Sequence, residues 1–337
     1  MYPALVLRDN DVPPGHRYRK FVHNPIGHID RFQTNQERKE QNMKRFFTPT
    51  LGTLCLLSLA AVMNMVLPAR ADDVAKSKVL YFSRSQGFTH GPVAWRTDQG
   101  SSFSGEVLEK YCAERNIELV ETQDGRVFDG DLDQYDGFIF YATGNLLAKS
   151  DQDKDHACPI SKDGLMKFFE AVRSGKGLVG IHAATDSYCG VNDEDGNDLY
   201  TRVMGGRFCG HGPMQVATVT FTDPVQFPWM KEKEEKKSAD HEEWYANNHL
   251  NTDMHVVMVL QTEGMDGDCY HRVPYPAAWI RMEGSGRVAY TTYGHDNDFF
   301  RKDENVRRIG EMIEWSVGRF DMDTTTNFDI ATPGADK

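Results

Sequence analysis

The chain has 337 residues, 39% of them hydrophobic, with 38 Lys and Arg against 50 Asp and Glu and a formal net charge of −12. That acidic surplus argues against nucleic acid and anionic membrane surfaces as partners. The length is ample for a full core.

Residues 1–42 are polar, rich in Arg and Pro, and lack any apolar period, so they read as a disordered N-terminal extension from a start codon set too early. Met43-Lys44-Arg45 then supplies a basic start, 51–67 an apolar run broken by Asn64, and Ala69-Arg70-Ala71 a small-residue cleavage pattern. Together these predict a signal peptide over 43–71, cleavage after Ala71, and export to the periplasm or medium. The apolar run is too short for a membrane span, so no stable insertion is expected after processing. Cys55 lies inside that run rather than after it, which excludes a lipoprotein site. Processing removes ten of the 38 basic and five of the 50 acidic residues, leaving 28 and 45, a net of −17. The remainder is expected to form one α/β domain over 72–320, with an Asp- and Thr-rich tail at 321–337.

The run 79–82 predicts a buried strand, and Phe103, Val107, Leu108 and Tyr111 predict a helix over 103–114. Strands follow at 117–120 and 137–141, a helix at 165–172, a strand at 177–182 and a helix at 197–203. This alternation predicts a mostly parallel sheet with helices on both faces. Strands at 214–221, 255–260, 277–282 and 288–293 extend it as a mixed sheet, and a helix over 304–317 closes the domain. The run 231–237 reads as a solvated charged loop. Cys112 falls in a helical pattern as a buried thiol; Cys158, Cys189, Cys209 and Cys269 fall in loops, and export predicts at least one disulfide among them.

Ligands in open α/β sheets bind beyond the carboxyl ends of the strands, and here those positions are rich in histidine. The first strand leads to Gly87-Phe88-Thr89-His90, and Gly144-Asn145 follows the third. The fourth ends in Gly180-Ile181-His182-Ala183-Ala184-Thr185-Asp186, whose small residues suit a sharp strand-to-helix turn with His182 at its apex. Gly205-Gly206 leads to His211; Glu242-Glu243-Trp244-Tyr245 follows; and the last strand ends in Gly294-His295.

In this order and spacing, these segments, with Pro276-Ala277-Ala278-Trp279 and Gly286-Arg287-Val288, resemble the ThuA-like, or trehalose-utilisation, family of the class I glutamine-amidotransferase-like superfamily, from about Lys78 to Arg319. The resemblance implies a flavodoxin-like three-layer sandwich and a link to oxidised or 3-keto sugars. Amidotransferases of this architecture carry cysteine at the elbow; His182 in its place argues against glutamine hydrolysis.

Three readings follow. The first is an enzyme acting on a sugar or 3-keto sugar by isomerisation or cleavage. His182, His211 and Glu243 are its acid/base candidates, and His90, Asn145, Asp186, Trp244, Tyr245 and His295 bind a small carbohydrate. The second is a non-catalytic sugar-binding module using the ring faces of Trp244, Tyr245, Trp279 and Tyr293. No cofactor is expected in either. The third places a divalent metal among His90, His182, His211, Glu243 and His295.

N-terminal sequencing of the exported protein is expected to begin at Asp72; a folded product still carrying residues 1–42 would refute the signal-peptide reading.

Overall fold

Residues 77–82, apolar from Val79 on and buried except at Lys78, form β1 (Ser77–Phe82), an interior strand of the sheet. The structure, a computed structural model, describes residues 75–336 apart from 152 and 155. The extension at 1–42 and the signal segment at 43–71 lie outside the described residues. After β1 come α1 (Phe103–Ala113), β2 (Ile117–Asp124), β3 (Gly137–Phe140), β4 (Gly144–Asn145), β5 (Ala157–Cys158), α2 (Lys162–Arg173), β6 (Gly177–Ile181) and β7 (Ser187–Tyr188). Then follow α3 (Leu199–Met204), β8 (Arg207–Gly210), β9 (Gln215–Phe221), α4 (Pro228–Lys231), β10 (Lys237–Glu242), β11 (Ala246–Asn248) and β12 (His255–Leu260). The chain closes with β13 (Tyr275–Glu283), β14 (Gly286–Thr291), α5 (Asn297–Phe300), α6 (Asp303–Ser316) and α7 (Phe328–Ala331). Ser102, Ser161 and Asp198 cap the first three helices, each side chain accepting a backbone N–H three residues on.

Ten strands make one sheet in the order β10-β9-β12-β13-β14-β6-β3-β1-β2-β5. From β5 to β14 every pairing is parallel; beyond β14 every pairing is antiparallel. The run β2-β1-β3-β6-β14 is the flavodoxin order, which changes direction between β1 and β3. Loops leaving β1, β3, β6 and β14 therefore emerge side by side at one edge. On one face α1, α5 and α6 pack together, while α2 and α3 also pack on the sheet, completing the layered sandwich. No helix among the described residues is long and apolar enough to cross a membrane.

Three expectations need correction. The segment at 321–336 is no free tail: Asn327 accepts from Val256 N at 2.7 Å and donates to Val256 O at 2.9 Å, and Phe328 is buried. It satisfies part of β12 that β9 leaves unpaired, since β9 reaches only Met258, Val259 and Leu260. Second, no disulfide joins the described cysteines. Cys158 sits on the outermost strand against Asp124, Cys189 lies beside Asp198, and Cys209 and Cys269 are neighbours with separate thiols. Third, the charged run at 231–237 is exposed as expected, but β10 begins within it, an edge strand too polar to show an apolar period.

At the α1–α6 contact, a Cβ on Gly310 would fall 2.0 Å from Cε1 of Tyr111, whose hydroxyl is held at 2.7 Å by Glu314. Neither ring nor helix can withdraw freely. Gly310→Ala is expected to cost about 1–3 kcal/mol of stability, read as a lower urea midpoint at unchanged slope.

Candidate functional site

β6 ends in a sharp turn at His182, whose φ of 43° is left-handed, a conformation uncommon for a residue with a Cβ. Tyr290 Oη donates to the His182 carbonyl at 2.9 Å and accepts from Thr185 Oγ1 at 3.0 Å, holding the turn. The ring of His182 is wholly buried, with Nδ1 2.7 Å from the Thr292 carbonyl. A carbonyl can only accept, so Nδ1 carries the hydrogen and Nε2 a lone pair. That lone pair faces Glu243 Oε2 at 3.5 Å and His295 Nδ1 at 3.3 Å.

His295 is delivered by the turn after β14. Gly294 there has φ of 114°, and Tyr141, at the end of β3, donates to its carbonyl at 2.7 Å. His295 Nδ1 lies 3.0 Å from Glu243 Oε2, while His211 Nδ1 lies 3.2 Å from Glu243 Oε1 and donates to the Gly212 carbonyl at 2.8 Å. His90, from the loop after β1, packs edge-to-face on His182 at 4.9 Å and on His295 at 5.2 Å. The Tyr245 ring packs at a tilt of 40°, its centroid 4.1 Å from that of His182, and its hydroxyl faces His90 Nε2 at 3.4 Å. Five predicted residues, His90, His182, His211, Glu243 and His295, thus meet at one place.

Burial alone would raise the Glu243 carboxyl, but the imidazoles of His182 and His295 hold it well below the usual carboxylate range. Burial lowers His295, and the Glu243 charge more than offsets it, leaving a raised value. His182 is lowered, first by burial and against the pull of Glu243. His90 falls to about 2, through burial and then its imidazole neighbours.

The other predicted binding residues are distributed differently. Asn145 lies on β4, where Oδ1 accepts from Leu147 N at 2.9 Å, so its side chain serves a local turn. Trp244, Trp279 and Tyr293 are core residues whose polar atoms are taken by Gln215 O, Met204 O and Asp240. Asp186 ends the elbow, half-buried near Arg207 and His211. The sequence reading missed Glu242, whose buried carboxyl accepts from Glu243 N (2.9 Å), Gly294 N (2.8 Å) and His295 N (3.2 Å). Burial pushes it up to about 7 against those three donors. The adjoining pair Glu242-Glu243 was the available signal, since neighbours on an extended chain point to opposite sides.

Phe88, 66% exposed, was also missed. With His90, His295, Asp296, Asn297 and Asp298 it borders a hollow of 320 Å³. Another hollow, of 710 Å³, lies along α3 and β8 and touches none of the five clustered residues.

The fold and site define a flavodoxin-like α/β protein with a histidine cluster at the carboxyl edge of its sheet. The chain belongs to the ThuA family, described as trehalose utilisation, whose profile matches residues 78–316. That membership relates it to carbohydrate use without specifying an activity. Among solved structures it is similar to a ThuA-like protein from Bacteroides uniformis, at 18% identity and a TM-score of 0.55, covering 77% of this chain and 98% of that one. Another from Parabacteroides merdae aligns at 15% identity and a TM-score of 0.47, covering 76% and 96%. Comparison with curated proteins finds no match.

Burial raises Asp186 from 3.8 to about 6, opposed by Arg207 and His211. A carboxyl raised on folding contributes stability that is present below its unfolded pKa and lost as pH rises through the folded value. Asp186→Asn is therefore expected to gain melting temperature relative to the parent as pH climbs from about 4 to about 7; a constant difference across that range would contradict this.

Proposed function

We propose that this protein moves a proton at the carbon beside the carbonyl of an oxidised sugar, leading to isomerisation or cleavage. One observation carries the reading: Glu243 divides its carboxylate between two solvent-facing imidazoles, Oε1 to His211 and Oε2 to His295. A carboxylate at Nδ1 keeps that hydrogen in place, so each ring works through Nε2. His211, the more exposed, takes the proton from carbon, and His295, at the hollow, supplies one to the carbonyl oxygen. The resulting enediol returns the proton to the neighbouring carbon, which is isomerisation. With a keto group on ring carbon 3, the enol instead returns its proton to His295, reforms the carbonyl and expels the glycosidic oxygen on carbon 1, which leaves as a free hydroxyl with the proton that His211 removed; this is eliminative cleavage.

The walls of the hollow suit a sugar. Phe88 offers an exposed apolar ring beside His90, and Asn297 Oδ1, buried without a partner among the described residues, can accept a hydroxyl. His182, with no exposed surface and both ring nitrogens facing protein groups, is a positioning residue in this reading rather than one that touches substrate. The burial of Trp244, Trp279 and Tyr293 removes most of the ring faces a purely binding module would use. Export of the mature chain belongs to the same proposal.

The test is incubation of the mature protein with a 3-keto disaccharide in D₂O, followed by NMR and product mass. Deuterium at the carbon beside the carbonyl, or release of the second sugar, is expected, with His211→Ala slowing either by about 10²–10⁴-fold. A folded parent protein that neither exchanges nor consumes any oxidised sugar would overturn the proposal.

A further inference from the structure

We propose that His90, His182, Glu243 and His295 form a binding site for one divalent transition-metal ion, best matched to zinc. One donor atom from each of the four lies within 4.8 Å of every other, on side chains that are buried or half-buried. Bonds of 2.0–2.1 Å in a tetrahedron place neighbouring donors about 3.3 Å apart. Three of the edges already have that length: His182 Nε2 to His295 Nδ1 is 3.3 Å, His182 Nε2 to Glu243 Oε2 is 3.5 Å, and His295 Nδ1 to Glu243 Oε2 is 3.0 Å. Three imidazole nitrogens and one carboxylate oxygen are also a donor set that suits zinc.

Three further observations separate this cluster from a chance gathering of polar groups. His182 Nε2 and Glu243 Oε2 both present lone pairs to the same point, because the Thr292 carbonyl commits the His182 hydrogen to Nδ1. Two acceptors facing each other repel unless a cation or a shared proton lies between them. A ligating histidine whose other nitrogen donates to a carbonyl is the usual outer support of a metal site. Next, His90 is buried, its Nε2 is met by Tyr245, and its Nδ1 has no partner among the described residues. Lastly, Glu243 spends its other oxygen on His211, which fixes the carboxylate from behind as a carboxylate–histidine pair does in metal shells. The hollow bordered by His90 and His295 supplies an entry path.

Occupation by an ion displaces the hydrogen on His295 Nδ1 and leaves His211 outside the donor set. Combined with the keto-sugar reading, the ion would take over the polarising of the carbonyl, while His211 remains the base. Metal binding itself does not depend on that reading, and its test reads metal content and spectra rather than turnover.

Untagged mature protein is stripped with a chelator and titrated with Zn²⁺ by calorimetry and with Co²⁺ by visible absorption. One equivalent per chain is expected, with the intense visible bands of four-coordinate cobalt. His295→Gln and Glu243→Gln are each expected to weaken binding by about a hundredfold or more while circular dichroism stays native. His182→Gln serves as a third arm with the same expectation. His211→Ala is expected to keep the one-to-one stoichiometry and the cobalt spectrum. Failure of the folded parent to bind either ion, an octahedral cobalt spectrum, or unchanged affinity in folded His295→Gln and Glu243→Gln would each overturn the proposal.

Discussion

A carboxylate set among imidazoles is the constraint around which this site is built. Glu243 is mostly withdrawn from water, and an unpaired charge in such a place costs several kcal/mol. Positive or hydrogen-donating partners must therefore surround it. His182, His211 and His295 do so, each within 3.5 Å. Their own orientations depend on backbone groups: the Thr292 carbonyl for His182, Gly212 for His211, and the Gly294 turn for His295. Glu242, next in the chain and pointing the other way, ties Glu243 and the Gly294–His295 turn together through three backbone N–H groups.

The fold makes this convergence possible. Residues between positions 90 and 295 meet because β1, β3, β6 and β14 run parallel and release their loops at one edge. The antiparallel extension then contributes what the parallel half lacks. β10 carries Glu242 at its end and hands on directly to Glu243, so the outermost strand of the sheet supplies the anion for histidines held by the inner ones. Tyr141 and Tyr290, each buried, tie the His295 turn and the His182 elbow to neighbouring strands through their hydroxyl hydrogen bonds.

Much of the fold was legible in the sequence. Strands buried on both faces show as apolar runs, as at 79–82 and 255–260, and helices α1, α2 and α6 show through their spacing. Of the five cluster residues, His90, His182 and His295 follow strands that the apolar runs mark, whereas His211 and Glu243 follow β8 and β10, which no apolar run announces. What escaped was decided by contacts that periodicity does not encode. β10 is Lys-Ser-Ala-Asp-His-Glu, an edge strand whose outward residues are polar, so its pairing with β9 leaves no apolar mark. Trp244 looked like a sugar platform because nothing local says that it lies under Gln215 and beside Tyr293. The buried state of His182 was equally hidden, since an elbow residue reads as exposed until the segments covering it are known.

The packing of residues 326–335 bears on how the protein can be divided. The region shared with the family ends at residue 316, at the last residue of α6, yet Thr326, Asn327 and Phe328 complete the exposed flank of β12, and Arg272 donates to the Ala335 carbonyl. A recombinant domain cut at residue 316 would leave the Val256 N–H without its acceptor, although the Val256 carbonyl keeps Thr222 Oγ1, and would remove the buried Phe328 ring from the core. The stretch matched to the family is thus shorter than the unit that closes its own surface here, and expression boundaries are better drawn from the second.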